Sequence, residues 1–202
     1  MKTSKYCLCI CLLSLPVLPM LNGCASTATE HFYTLNYERT TAVPGQATAP
    51  AYEILLDSVK IPDAINRPQL VVQLESGEVS MLEHQRWLAP LEEQISLALA
   101  GNLRASLPSA WVSTEPAEQA KLPRFRLRIE VQRLLLIPGK STELDISWVL
   151  TDKDRKVLRR QHQLMTVPVA SSQYAALAAS VSEAIRQLST AIALDIKALQ
   201  AS

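Results

Sequence analysis

The chain has 202 residues, 48% of them hydrophobic and 19% charged, with 20 Lys and Arg against 19 Asp and Glu and a formal net charge of +1. That length fits one or two domains. The even charge balance lacks the basic excess that a general nucleic-acid binder needs to neutralise phosphates, so no nucleic-acid partner is expected.

In chain order, Lys2 and Lys5 precede Tyr6 to Met20, a largely apolar run broken by Pro16 and Pro19. This is the layout of a secretory signal peptide, too short and too interrupted for a permanent transmembrane helix. Cys7, Cys9, Cys11 and Cys24 all fall before residue 25, which excludes a disulfide framework or a cysteine metal site in the folded part. The run ends in Leu21-Asn22-Gly23-Cys24, which resembles the lipobox of bacterial lipoproteins; Asn22 departs from the usual small residue there. That resemblance implies a diacylglyceryl and acyl (palmitate-type) lipid on Cys24, no other cofactor, and cleavage of residues 1–23. Ala25, in place of an Asp, implies sorting to the outer membrane. Two or more acyl chains suffice for stable anchoring. Cleavage takes two lysines away, leaving 179 of the 202 residues with 18 basic and 19 acidic side chains.

Residues 24–31 form a short tether, reaching at most ~25 Å when extended. Residues 32–202 read as a single α+β domain, an antiparallel sheet packed by two main amphipathic helices. Phe32 to Tyr37 alternates and predicts a strand. Residues 38–51, rich in Thr, Ala, Pro and Gly, predict a flexible loop. Tyr52 to Val59 predicts a second strand, and Gln69–Leu74 with Glu78–Leu82 a hairpin around Ser76-Gly77. Leu91, Ile95, Leu99, Leu103 and Leu107 recur every fourth position between Pro90 and Pro108, an amphipathic helix in which Gly101 marks a close packing contact. Trp87 is expected to pack at its start.

A short strand at Trp111–Ser113 follows, then a three-strand meander. Phe125, Leu127, Ile129 and Val131 alternate with Arg124, Arg126, Arg128 and Glu130; Pro138-Gly139 turns the chain; Leu144 to Leu150 returns; Asp152-Lys153-Asp154 turns again into Val157–Met165. Leu177, Val181, Ile185, Leu188, Ile192, Ile196 and Leu199 make one apolar face of a last helix, with Ser171 or Ser172 at its start.

The residues offer no catalytic or metal motif. Gly23, Gly45, Gly77, Gly101 and Gly139 lie too far apart for a phosphate loop. His31, His84 and His162 are scattered, no GxSxG elbow exists, and Glu92-Glu93 suits a helix N-terminus. The row Arg124, Arg126 and Arg128 is the one charge feature on a defined face. It suits lipid phosphate or an acidic partner, or else a solvated sheet face balanced by acids such as Asp145 on neighbouring strands.

Several segments together resemble the ABC-type transport auxiliary lipoproteins, the group that includes the lipoprotein of the paraquat-inducible intermembrane transport system. They are Cys24 followed by Phe32-Tyr33-Thr34-Leu35, Asp57-Ser58-Val59-Lys60-Ile61-Pro62, Arg67-Pro68-Gln69-Leu70-Val71, Arg86-Trp87-Leu88-Ala89-Pro90-Leu91, Arg126 to Arg133, and the Ala-rich last helix. Leu134-Leu135-Leu136 departs from the pattern and leaves the local sheet edge open. The resemblance implies a non-enzymatic lipoprotein on the periplasmic leaflet of the outer membrane. Its partners would be an MCE-domain tunnel protein and an inner-membrane permease, with lipid as cargo. A single 179-residue subunit cannot enclose a lipid conduit, so a homo-oligomer or a collar on an oligomeric tunnel is expected. The alternative reading is an assembly or chaperone lipoprotein that binds a barrel protein or lipopolysaccharide.

Overall fold

The computed structural model describes residues 29–38, 49–115 and 124–201. The signal segment, Cys24, Ala25, most of the tether, residues 39–48 of the expected loop and the side chain of Arg124 lie outside the described residues.

Eight strands and two helices follow in the order β1 (His31–Tyr33), β2 (Tyr52–Lys60), β3 (Gln69–Gln73), β4 (Val79–Trp87), α1 (Leu91–Ser106), β5 (Ala110–Ser113), β6 (Arg124–Ile137), β7 (Ser141–Thr151), β8 (Val157–Pro168) and α2 (Tyr174–Ala201) among the described residues. One sheet has the order β5-β2-β6-β7-β8 and the other β1-β4-β3. The fold is α+β, as the periodicities predict. The meander β6-β7-β8 is antiparallel, whereas β2 runs parallel to both β5 and β6, and β1 parallel to β4. The sheets are therefore mixed. A parallel pair needs a crossover, and α1 supplies it between β2 and β5. Helices α1 and α2 pack against each other, α1 over β2 and β5 and α2 over β7 and β8.

Local chemistry explains the turns. Gly77, at φ +86°, closes β3-β4, and Gly139, at φ +69°, closes β6-β7, backbone conformations that cost glycine little. At β7-β8 the Asp152 carboxylate accepts the backbone N–H groups of Asp154 and Lys156, each at 2.9 Å, the expected role of Asp in a turn.

The core lies between the helices and the inner face of the five-stranded sheet. Leu91, Ile95, Leu99 and Leu103 from α1 meet Leu177, Val181, Ile185, Leu188, Ile192 and Ile196 from α2, above Leu127, Ile129, Leu144, Ile146 and Leu150. Each such side chain contributes about 1.5–3 kcal/mol on burial. The predicted stripes are the buried faces, and Trp87 is buried in the same core just ahead of α1. Leu134 to Leu136 continues β6 against β7, with Leu134 and Leu136 buried, while the ladder from β6 to β2 ends at Lys60 and Glu130, so β6 is paired on one side only there.

The predicted strand Phe32–Tyr37 stops at Tyr33. Beyond it the chain leaves β4 and crosses the helices, where side chains replace a sheet partner as acceptors for its backbone.

Candidate functional site

No metal-binding cluster of three or more His, Cys, Asp or Glu side chains exists among the described residues, and none of their helices is long and apolar enough to cross a membrane. His31 and His84 are exposed. His162 Nε2 meets the Asp145 carboxylate at 2.6 Å. Two surfaces of the described residues stand out first: the strap that runs onto the helices, and the sheet face the helices leave open.

The strap comprises residues 34–38. The Leu35 N–H donates to Gln94 Oε1 at 2.9 Å, and Gln94 is held in turn by donating Nε2–H to the Ala89 carbonyl at 2.8 Å. The Asn36 N–H donates to Ser182 Oγ at 3.0 Å, and the Glu38 N–H to Asn102 Oδ1 at 3.0 Å. The Tyr37 ring lies on Gly101, occupying the space a Cβ would need. Buried backbone N–H groups require acceptors, and here α1 and α2 each provide them. Just upstream, the Tyr33 hydroxyl donates to Gln85 Oε1 at 2.5 Å. Burial, and secondly the charge of Tyr174, push that phenol above its ordinary value. Gln94 and Asn102 escaped the sequence reading, yet they form a column with Ala98 one position before Ile95, Leu99 and Leu103. Two amides inside an otherwise apolar face were the signal.

The open face separates the predicted arginine row. Arg126 is ion-paired with Asp57, at the irregularity where β2 slips register between Leu56 and Ser58. Arg124 stands opposite Glu53 in backbone register. Arg128 is exposed and lines a basin of about 380 Å³ with Ser58, Lys60, Glu130, Ser147, Val149 and Arg160. Asp145, expected as a balancing acid for the row, instead faces His162, because its register partner on β6 is Arg133. Lys60 and Arg160 were not singled out from sequence, since only the parallel β2-β6 pairing and the β7-β8 register bring them beside Arg128.

A third, apolar cleft of about 240 Å³ lies where the two sheets meet, lined by Ile65, Val71, Val79 and Leu135 among others.

The family model for the ABC-type transport auxiliary lipoprotein component matches residues 33–193. Among solved structures the chain is similar to an uncharacterized protein at 16% identity and TM-score 0.68, covering 84% of this chain and 99% of that one. It is similar also to protein XCC0632 from Xanthomonas campestris, of the DUF330 family, at 18% identity and TM-score 0.60, covering 86% and 100%. PelC from Paraburkholderia phytofirmans, crystallised as a dodecamer, is more distant, at 15% identity and TM-score 0.40 over 72% and 91%. No curated protein matches the chain.

Proposed function

The chain belongs to the family of ABC-type transport auxiliary lipoprotein components, and we propose that it is the non-enzymatic outer-membrane member of an MCE-type intermembrane lipid transport system, docking the periplasmic tunnel at that membrane. The observation that carries this reading is the family match from Tyr33 to Ala193, starting nine residues after the lipobox Cys24. Cys24 in its lipobox-like setting, with Ala25 rather than Asp after it, supports a lipid anchor in the outer membrane. A tether of at most ~25 Å then holds the body near that bilayer. The strap at residues 34–38 is held to both helices by Gln94, Asn102 and Ser182, which fixes where the chain from the anchor side enters the body. Partners are the MCE-domain tunnel protein and, through it, the inner-membrane permease, with this subunit as an oligomeric collar at the tunnel end.

Crosslinking and pull-down of the lipidated protein from separated outer membranes tests the reading. Capture of an MCE-domain protein is expected, and Cys24→Ala should abolish outer-membrane fractionation. Recovery of the native protein in the inner membrane, or capture of a barrel protein or lipopolysaccharide with no MCE component, would overturn it.

A further inference from the structure

Two register ladders cross the open face. In one, Ser58 stands opposite Arg128, Arg128 opposite Val149, and Val149 opposite Arg160. In the next, Lys60 stands opposite Glu130, Glu130 opposite Ser147, and Ser147 opposite His162. Arg128 and Arg160 are thus two strand spacings apart, about 10 Å between their backbones. The short side chain of Val149 forms the floor between them.

The charges of this basin are not balanced. Lys60, Arg128 and Arg160 have no carboxylate within ion-pair distance among the described residues, and the acids flanking the basin in sequence are engaged elsewhere: Asp57 with Arg126 and Asp145 with His162. Glu130 alone remains to offset three cations. Like charges held together in this way repel unless an anion sits among them. The hydroxyls fit the same ligand. Ser147 Oγ accepts from Gln132 Nε2 at 2.9 Å, which leaves its own O–H to donate into the basin, and Ser58 offers a second. Guanidinium groups match phosphate geometry with paired N–H donors, and about 380 Å³ accommodates a headgroup.

We propose that this basin is a phosphate-binding site, in which Arg128 and Arg160 hold the phosphate of a phospholipid headgroup from two sides while Lys60 and the Ser58 and Ser147 hydroxyls complete its contacts. The proposal rests on the lipid-transport reading for its choice of ligand, but its test needs no tunnel partner. A failure here therefore leaves the docking experiment standing, and the reverse also holds.

The full chain, purified from membranes in a nonionic detergent, is titrated by calorimetry with dihexanoyl phosphatidylglycerol and separately with inorganic phosphate. Saturable binding of the lipid probe is expected, weakened at least tenfold in Arg128→Gln/Arg160→Gln and tightened severalfold in Glu130→Gln. Lys153→Gln, which removes a cation paired with Asp154 in the β7-β8 turn, should leave binding unchanged. Inorganic phosphate binding as tightly as the lipid probe would support the site but assign it to free phosphate. The proposal is overturned by no saturable binding of either probe, by equal affinities in the native and double-variant proteins, or by an equal loss in Lys153→Gln.

Discussion

Gly101 and Tyr37 occupy the same volume: a Cβ on Gly101 would stand 2.2 Å from Tyr37 Cδ2. Alanine, normally better than glycine inside a helix by about 1 kcal/mol, is therefore expected to destabilise here by about 1–3 kcal/mol through overpacking, read as a lower urea midpoint. In a Tyr37→Ala background the same substitution should lose that cost, and a double-mutant cycle measures the coupling. Glu183 makes a different residue-level case. Hydrogen bonds from Arg186, then Gln187, lower its carboxyl from 4.5 to about 2. A depressed folded value means that the stabilisation is complete above about pH 4.5 and is lost as pH falls towards 2. Because the pair is solvated, it contributes under ~1 kcal/mol. Glu183→Gln should accordingly lower the thermal midpoint slightly at pH 6 and leave it unchanged at pH 2, measured by circular dichroism.

Helix α2 is fastened to the sheet by one charge as well as by its apolar stripe. Asp195 accepts from Trp148 Nε1 at 3.0 Å and lies 3.5 Å from Arg159 Nε; that nitrogen is buried without a hydrogen bond, so the contact is electrostatic. Removing the carboxylate leaves the Trp148 N–H without its acceptor and Arg159 without its counter-charge. Asp195→Ala is expected to cost about 1–3 kcal/mol, followed by Trp fluorescence during urea unfolding. Elements of this kind were legible in sequence to differing degrees. The four-residue steps of Leu91 to Leu103 and of Leu177 to Ile196 named both helices and their buried faces, because burial acts on each turn locally. Alternation in Phe125 to Val131 named β6 and its arginine side. Nothing in an alternating run states which strand lies alongside or in which direction, so the parallel neighbours of β2, and with them Lys60 and Arg160, waited for the fold. The end of β1 at Tyr33 was also hidden, since the acceptors that draw the chain away sit on α1 and α2, far along the sequence.

At the scale of the whole molecule, the two helices cover one face of the five-stranded sheet and leave the other open. The 18 basic and 19 acidic residues from Cys24 onward thus conceal a local excess of positive charge on that face. The polarity is one of placement rather than of composition, and it comes from bulges and registers that commit Asp57 and Asp145 to other partners. The short first strand has a mechanical consequence. Three residues joined to a single neighbour at a sheet edge, followed by a strap held through side-chain acceptors, form the weakest link in a pull between bilayer and body. Under tension, β1 and the strap would peel away first, while the core remained intact beneath α1 and α2. The eight residues from His31 to Glu38 would then lengthen the N-terminal leash by about 27 Å, giving the body reach at no cost to its core packing.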